Sequence, residues 1–275
     1  MKIIHVSDGW QENNGVAVVA RRIAAAQKAE GNEVSLRRWV SAAELRGADE
    51  VWVHCAWMPC LWWAALWAKR LRRVPHGSFD PLRLAYHGWK KRLVGCIERW
   101  SLRRAESVEA LCDAEAEWVR AYEPRVRNVE VCDIKRFFKL DAPQRPIPHD
   151  RPLRLLFLGR RHPLKGVEYL EEAVRGVDDC ELRIESAVFG EAKERAWEWC
   201  DALVLPTLSE NFGLVVAEAL EHGRHVIVTD GAPAWKGQPG VVFINGYRDG
   251  SHEERIDLLR SSFIMLKKEM ARWEY

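Results

Sequence analysis

Short apolar runs alternate with helix-like segments along almost the whole chain, and this alternation strongly limits the folds open to it. In the first half, strands are predicted at residues 3–7, 34–39, 51–55, 108–111 and 129–131. Helices are predicted between them, over about 15–30, 57–73, 82–104 and 113–122. This order favours a mostly parallel sheet with helices on both faces.

Residues 141–152 interrupt the alternation, because four prolines within twelve residues can build neither a helix nor a central strand. We predict a linker there. Strands then follow at 153–158, 181–185, 202–205 and 225–229, and helices over 166–175, 190–199, 212–222 and about 252–273. The pattern predicts an α/β protein with two doubly wound, Rossmann-like domains facing a central cleft. The domains span residues 1–140 and 153–250. A C-terminal helix is predicted over 251–275, and it could either stay on the second domain or cross back to the first.

Composition narrows the function classes. A net charge of +2 gives no general indication of nucleic acid binding. The seven cysteines form neither a CxxC pair nor a Cys/His metal spacing, so we expect free thiols in a reducing compartment. Neither a signal-peptide pattern nor an apolar run of eighteen residues is present, so we expect a cytoplasmic protein without a membrane span.

A basic loop directly follows the strand predicted at 153–158. Arg160 and Lys165 place two cations between Gly159 and Gly166, just before a helix whose N-terminal amides and dipole favour an anion. Glycines at both ends allow a tight turn. The loop suits a diphosphate, although a solvated surface turn would have a similar composition.

One glutamate, Glu210, precedes the helix predicted at 212–222, and a second, Glu218, lies within it. Asn211 is placed to cap this helix and Gly213 to open its first turn, which leaves amides near Gly213 and Leu214 free for a phosphate. Carboxylates from Glu210 and Glu218 beside an anion site suit a ligand that also carries hydroxyls, and a nucleotide sugar offers both groups. The alternative is a capped helix with an exposed glutamate at each end.

The segment from Glu210 to Glu218, with Phe212 and Gly213 between them, resembles the E-x7-E signature of family 4 retaining glycosyltransferases of the GT-B fold. Three further segments resemble motifs of that family in the same order. Residues 13–16 resemble its glycine-rich loop, residues 74–81 around His76 its His-Gly segment, and residues 159–166 its basic diphosphate loop. Four motifs in register across both domains make the resemblance specific.

The resemblance implies a donor site for a nucleoside diphosphate sugar. Arg160 and Lys165 would neutralise the diphosphate as it leaves, Glu218 would hold the ribose hydroxyls, and Gly15 would let the first loop approach the phosphates. Retaining transfer in this family needs neither a metal ion nor another cofactor, because the cations stabilise the departing nucleotide.

The same resemblance implies how the transferred sugar is held. Glu210 would bind it together with the backbone of Asn211, Phe212, Gly213 and Leu214. His76 would hydrogen-bond the sugar from the first domain. Glu210 and His76 are therefore the candidate catalytic residues.

The chain departs from the family pattern at three places. Between Gly159 and Ala202 it is shorter by about one strand-helix unit, so the base pocket is expected to be incomplete or rebuilt around residues 186–190. Residues 131–134 replace the usual Asn-Gly turn, and His225 stands where the family tends to have proline.

Tryptophans and basic residues are concentrated in one stretch of the first half. Eleven Lys and Arg residues lie within 69–104, against Asp80 and Glu98, and five tryptophans lie just before, at 52, 57, 62, 63 and 67. Such a surface suits peripheral contact with an anionic membrane. The alternative is a set of core tryptophans, favoured for Trp52 and Trp57, beside a solvated basic face. Single-stranded nucleic acid would also suit the composition, but the other motifs do not require it, so no nucleic acid partner is expected.

The sequence therefore predicts a retaining glycosyltransferase. It would move a sugar from a nucleoside diphosphate donor to a hydroxyl of a bacterial surface glycan or lipid-linked saccharide. Two alternatives remain open at this stage: a non-catalytic binding subunit of GT-B shape, and a sugar-nucleotide epimerase on the same fold.

Overall fold

The computed structural model describes residues 1–11, 15–86, 88–148, 150–186 and 188–270, without the side chains of 269 and 270. The chain divides into two compact units, Met1–Phe137 and Phe138–Tyr275. Each unit is built on one sheet whose described strand pairs are all parallel.

The first unit has a six-stranded sheet with the order β2-β1-β3-β4-β5-β6. Its strands are β1 (Lys2–Val6), β2 (Glu33–Arg37), β3 (Glu50–His54), β4 (Leu71–Val74), β5 (Ser107–Ala110) and β6 (Val129–Val131). The helices are α1 (Gly15–Ala29), α2 (Ala42–Gly47), α3 (Pro59–Trp67), α4 (Pro81–Ala85), α5 (Gly88–Arg104) and α6 (Asp113–Tyr122). Since the chain reverses direction across the sheet after β2, the helices cover both faces.

The second unit has a five-stranded sheet with the order β11-β10-β9-β7-β8. Its strands are β7 (Leu153–Leu158), β8 (Cys180–Glu185), β9 (Ala202–Leu205), β10 (His225–Thr229) and β11 (Val241–Ile244). The helices are α7 (Val167–Arg175), α8 (Glu191–Trp199), α9 (Leu214–Glu221) and α10 (His252–Met270). The central strands are buried on both faces along nearly their whole length, in accordance with their mostly apolar sequences. Two parallel, doubly wound α/β sheets were predicted, and this prediction is confirmed.

The segments that flank the second sheet pack onto it. In the proline-rich segment, the Arg145 amide donates to the Gly223 carbonyl at 2.8 Å, and Ile147 is buried. At the other end of the unit, α10 packs along α7 and against β11. The crossing of this helix to the first domain stays a prediction, and residues 271–275 lie outside the described part of the chain.

The helix predicted over 57–73 is present only in its first part, and the prediction is wrong for its C-terminal part. The helix α3 ends at Trp67, and Leu71–Val74 forms the interior strand β4. The Arg73 side chain is fully buried, and its Nη2 lies 2.5 Å from Glu98 Oε1 on α5. Glu98 Oε2 also accepts from Trp62 Nε1 at 2.7 Å and from the Trp57 amide at 3.0 Å. Arg73 therefore does not belong to the predicted basic surface.

Three smaller differences concern element boundaries. The predicted helix 82–104 consists of two helices, α4 and α5. Helix α2 and strand β11 were not predicted; α2 begins with a capping box in which Ser41 and Glu44 bond to each other's backbone amides.

In the described part of the chain, no helix is both long and apolar enough to cross a membrane.

Candidate active site

All the predicted donor residues except Gly15 follow β7 or β9, which are neighbouring strands of the second sheet. The chain leaves β7 toward β8 on one side and returns to β9 on the other. In open parallel sheets such a reversal creates a crevice beyond the strand ends, where ligands bind. The two loops are joined there, because the Leu164 carbonyl accepts from the Leu208 amide and from Thr207 Oγ1, each at 2.8 Å.

Gly166 makes this close approach of the loops possible. Its φ of 63° lies in the left-handed region, and a Cβ at this position would lie 2.1 Å from the Pro206 carbonyl oxygen. The same Cβ would also lie 3.2 Å from the buried hydroxyl of Tyr247. Any side chain at position 166 would therefore push the two loops apart.

Lys165 and Glu210 meet across the two loops. The Lys165 ammonium forms an ion pair with Glu210 Oε2, and Glu210 Oε1 accepts from the Asn211 amide at 3.1 Å. Both side chains remain about one-fifth exposed, so a ligand can reach them. A diphosphate bound at Lys165 would share the ammonium with Glu210.

Arg160, the second predicted cation, is exposed at the end of β7. Among the residues that the structure describes, it has no ion-pair partner. Because its long side chain is not held elsewhere, it can turn toward an anion in the crevice. Arg160 and Lys165 therefore stand on the same loop in different states, one solvated and one already paired.

Helix α9 begins one residue after Gly213, which is its N-cap with a φ of 69° and gives no side-chain hydrogen bond. The prediction that Asn211 caps this helix is therefore wrong; Asn211 is buried instead. With no capping side chain, the amides of the first turn, which includes Leu214, depend on other partners.

Phe212 fixes the loop before this helix. Its ring is buried between Phe138 and Trp235, with ring centroids 5.3 and 5.0 Å apart. Its carbonyl accepts from the Trp235 indole. The backbone from Glu210 to Gly213 is thus held from the core side.

Glu218 lies on α9, one turn after its first residue, and its two carboxylate oxygens have different environments. Its Oε1 accepts from Lys193 Nζ of α8 at 2.7 Å. Its Oε2 is buried and, within the described chain, has no hydrogen-bond partner. A buried carboxylate oxygen without a donor is destabilising, so this atom suits a ligand hydroxyl. Lys193 was not predicted, because nothing in its own helix connects it with Glu218.

The segment predicted to rebuild the base pocket follows β8. Ser186 Oγ donates to the Gly159 carbonyl at 2.8 Å, which ties this segment to the basic loop. Phe189 is 52% exposed and offers a flat apolar face. Ala187, between them, lies outside the described residues.

His76 lies in the first unit, two residues after β4. It is almost fully buried, has a left-handed φ of 53°, and its Nε2 lies 2.9 Å from Nδ1 of His54. Burial, with a smaller contribution from Arg83, lowers the pKa of His76 to about 3, so its imidazole is neutral at physiological pH.

Backbone strain is concentrated near His76. Cys55 and Trp57, just after β3, also have left-handed φ values, both 71°. Such conformations are unfavourable for residues other than glycine and are often found at functional sites. Gly15, at the start of α1, is exposed, and Asn13 and Asn14 of the predicted glycine-rich loop lie outside the described residues.

Two family models match the chain in succession. A glycosyl transferase 4-like domain matches residues 34–133, and a glycosyl transferases group 1 domain matches residues 140–260. The chain belongs to the family 4 glycosyltransferases of the GT-B fold. The second domain contains every donor-side residue of the β7–β9 crevice, and the first contains His76. No curated protein sequence matches the chain significantly.

Solved structures of glycosyltransferases share the fold at low sequence identity. Sucrose-phosphate synthase from Thermosynechococcus elongatus has a TM-score of 0.67 and 14% identity, over 99% of this chain and 98% of that chain. Anabaena HepE in complex with UDP and glucose has a TM-score of 0.68 and 14% identity, over 98% and 92%. WaaG, a glycosyltransferase involved in lipopolysaccharide biosynthesis, has a TM-score of 0.66 and 15% identity, over 98% and 92%.

Proposed function

We propose that this glycosyltransferase is a retaining, metal-independent enzyme whose donor is a nucleoside diphosphate sugar. The observation that carries the proposal is the β7–β9 crevice. Lys165 and Glu210 are paired there, Arg160 is exposed on the same loop as Lys165, and Glu218 on α9 has a buried oxygen without a hydrogen-bond partner in the described part of the chain. Structures of HepE with UDP, with UDP and glucose, and with UDP-glucose support a donor of this class.

Within this proposal each residue of the crevice binds a different part of the donor. Arg160 and Lys165 bind the diphosphate and stabilise the charge that develops on it as the glycosidic bond breaks. The free oxygen of Glu218 accepts from a ribose hydroxyl. Glu210 accepts from a hydroxyl of the transferred sugar, and the amides near Gly213 bind its remaining oxygens.

Metal independence follows from the same charges in this proposal. The two cations and the amides at the start of α9 perform the electrostatic role that a divalent ion performs in other transferases. His76 supplies a hydrogen bond to the transferred sugar. Gly15 lets the loop before α1 approach the phosphates.

The proposed acceptor is a hydroxyl of a bacterial surface glycan or a lipid-linked saccharide. A cavity of about 1010 Å³ in the first unit supports this choice. Its wall includes aromatic rings that suit sugar faces and cations that suit phosphate or acidic sugars, namely Trp57, Trp89, Tyr122, Lys91, Arg92 and Arg99. WaaG and the outer core galactosyltransferase WaaB, both similar in fold, act in lipopolysaccharide synthesis or on its outer core.

A location in the cytoplasm, with peripheral contact at the inner face of the cell membrane, completes the proposal. All seven cysteines fall in the described part of the chain and are free thiols, which suits a reducing compartment. Helix α5 carries exposed apolar residues beside exposed cations, as a membrane contact requires.

The proposal is tested by measuring hydrolysis and transfer over a panel of nucleotide sugars, beginning with UDP-glucose. We expect one donor to be turned over, and Lys165→Ala to reduce kcat/KM at least tenfold, because a charged hydrogen bond contributes about 1.5–3 kcal/mol. Lys268→Ala, at an exposed position on α10, is the matched control. Turnover that depends on added divalent metal, inversion at the anomeric carbon by NMR, or equal rates for both variants would contradict the proposal.

A further inference from the structure

Three buried histidines of the first unit form one continuous chain of hydrogen bonds that ends at His76. Gln27 Oε1 lies 2.7 Å from His5 Nε2, and His5 Nδ1 lies 2.8 Å from His54 Nε2. His54 Nδ1 lies 2.9 Å from His76 Nε2. His5 and His54 are fully buried, and His76 is 7% exposed.

The sheet topology explains why these rings meet. His5 is on β1, His54 ends β3, and His76 follows β4; β1, β3 and β4 are adjacent in the sheet. His5 is paired in register with Trp52, so His54 lies two residues farther along on the same face. The rings of His5 and His54 stack with centroids 5.1 Å apart, and those of His54 and His76 lie 5.2 Å apart.

Each ring in this chain is neutral, because burial disfavours the imidazolium form. Burial lowers the pKa of His5 to about 4 and that of His76 to about 3, and it holds the pKa of His54 well below its usual range. A neutral imidazole has one N–H donor and one bare nitrogen. A chain of neutral rings must therefore donate in one direction throughout, and the group at its end sets that direction.

Gln27 supplies that end group. Its side-chain oxygen can only accept, so His5 donates to it from Nε2 and presents a bare Nδ1 to His54. His54 then donates from Nε2, and its bare Nδ1 accepts from Nε2–H of His76. This leaves the Nδ1 of His76 as a hydrogen-bond acceptor.

We propose that Gln27, His5 and His54 are positioning residues that hold His76 as the Nε2–H tautomer, so that its Nδ1 accepts from a hydroxyl of the transferred sugar. The sugar contact rests on the proposed function of His76, whereas the tautomer does not. The rings bond in sequence rather than converging on one point. In the described part of the chain, no three His, Cys, Asp or Glu side chains are placed to hold a metal ion.

The backbone holds the last ring in place from the other side. The Gly77 amide, next to His76, donates to the buried carboxylate of Glu115, whose Oε2 also accepts from the Leu111 amide at 2.7 Å. A ring fixed at its backbone and at Nε2 has little freedom to rotate. A change in its hydrogen bonding therefore alters the tautomer rather than the ring position.

The tautomer is tested in the free protein by ¹⁵N NMR of imidazole-labelled histidine at about pH 8, with the His76 signal assigned by its loss in His76→Gln. We expect His76 to be the Nε2–H tautomer in the wild type and in Gln27→Glu, which keeps an acceptor at the end of the chain. We expect a mixture of tautomers in Gln27→Leu, which removes the acceptor. An Nδ1–H tautomer in the wild type, or no change in Gln27→Leu, would overturn the proposal.

The sugar contact is tested by hydrolysis of the nucleotide sugar that the panel identifies. Gln27→Leu should reduce kcat severalfold with a smaller change in KM, Gln27→Glu should restore kcat, and Gln27→Leu should have no further effect in a His76→Ala background. Independent, additive losses would assign Gln27 a merely structural role and overturn this part. If no nucleotide sugar is turned over, the proposed function fails, while the NMR result still decides the tautomer.

Discussion

Glu218 shows at the scale of one residue how a binding site can be recognised before its ligand is known. One carboxylate oxygen is paired with Lys193, and the other is buried and has no donor among the residues that the structure describes. Protein interiors rarely leave a charged acceptor in this state, because the desolvated oxygen costs free energy that a hydroxyl of a ligand would recover. The unpaired oxygen thus distinguishes Glu218 from a glutamate that only holds Lys193.

Glu218→Gln should weaken binding of the nucleotide sugar at least tenfold. The amide nitrogen of glutamine is a donor, and its neutral oxygen accepts less strongly than a carboxylate, so the contact loses about 1.5–3 kcal/mol. Isothermal titration with the donor measures the loss. Glu198→Gln, at an exposed position on the neighbouring helix α8, is the control. Equal affinities for the two variants would refute the assigned role.

The buried histidines make the stability of the first unit depend on pH. Their pKa values are lowered in the folded protein, so below pH 6.5 the unfolded chain binds protons that the folded chain does not. The contribution of these histidines to stability should be constant above about pH 7 and should fall as the pH decreases from 6.5 toward 4. Each histidine contributes about 1 kcal/mol per pH unit in this window.

Urea unfolding at several pH values between 5 and 7 checks this expectation. His5→Phe should reduce the slope of the free energy of unfolding against pH by the amount that corresponds to the uptake of about one proton on unfolding. Trp52→Phe alters the ring that stacks on His5, with centroids 5.6 Å apart, without removing a titrating group. It should change the stability at every pH but keep the slope. An unchanged slope in His5→Phe would show that His5 is protonated in the folded protein.

At the scale of elements, strand β4 is the main place where sequence and structure disagree. Its sequence, Leu-Arg-Arg-Val, is typical of the basic end of a surface helix. Sequence patterns alone do not predict an arginine in an interior strand. Arg73 is tolerated there because Glu98, 25 residues later on α5, supplies the opposite charge. A partner so distant in sequence becomes visible only after α5 packs on the sheet.

Arg73→Met should lower the free energy of unfolding by about 3–5 kcal/mol, because it leaves the carboxylate of Glu98 buried with two neutral donors and no cation. Urea denaturation measures the loss. The double variant Arg73→Met with Glu98→Gln should recover part of the stability, since the remaining buried group is neutral. Lys69→Met, at an exposed position just before β4, is the control. A loss below 1 kcal/mol in Arg73→Met would contradict a structural role for the pair.

The candidate site was predictable where its residues are adjacent in sequence. The loop that contains Arg160 and Lys165 directly follows β7, and the segment from Glu210 to Glu218 comes shortly after β9, as predicted. The contact between Lys165 and Glu210 spans 45 residues and depends on β7 and β9 being neighbours, which strand patterns alone do not specify. Lys193 and the bonds that connect His5 to His76 are invisible in the sequence for the same reason.

At the scale of the whole molecule, the distribution of charge says more about the proposed membrane contact than the net charge does. The net charge is only +2, yet eleven basic residues fall between 69 and 104. In the structure these basic residues have different environments. Arg73 is buried, and Arg70 and Arg72 are paired with glutamates, whereas Lys90 and Arg92 on α5 are exposed. The proposed membrane surface is therefore smaller than the sequence suggested and centred on α5.

Helix α5 combines those cations with an apolar stripe. Trp89, Leu93 and Ile97 follow one another at intervals of four residues, so they share one helix face, and they are 64%, 71% and 38% exposed. Apolar side chains at this spacing beside lysine and arginine suit a helix that lies in the headgroup region of an anionic membrane. A purely solvated face would not need the stripe.

Cosedimentation with vesicles separates these two possibilities. Vesicles that contain about one-third anionic lipid should bind the protein, vesicles of neutral lipid should bind it weakly, and salt should reduce binding, because each exposed cation contributes about 1 kcal/mol. The double variant Trp89→Ser with Leu93→Ser should lose most of the binding, since it removes the apolar contact but keeps every charge. Ile264→Ser with Met265→Ser, at exposed positions on α10, is the matched control. Equal binding by both double variants would show that the stripe is not inserted and that α5 meets the membrane, if at all, through its charges alone.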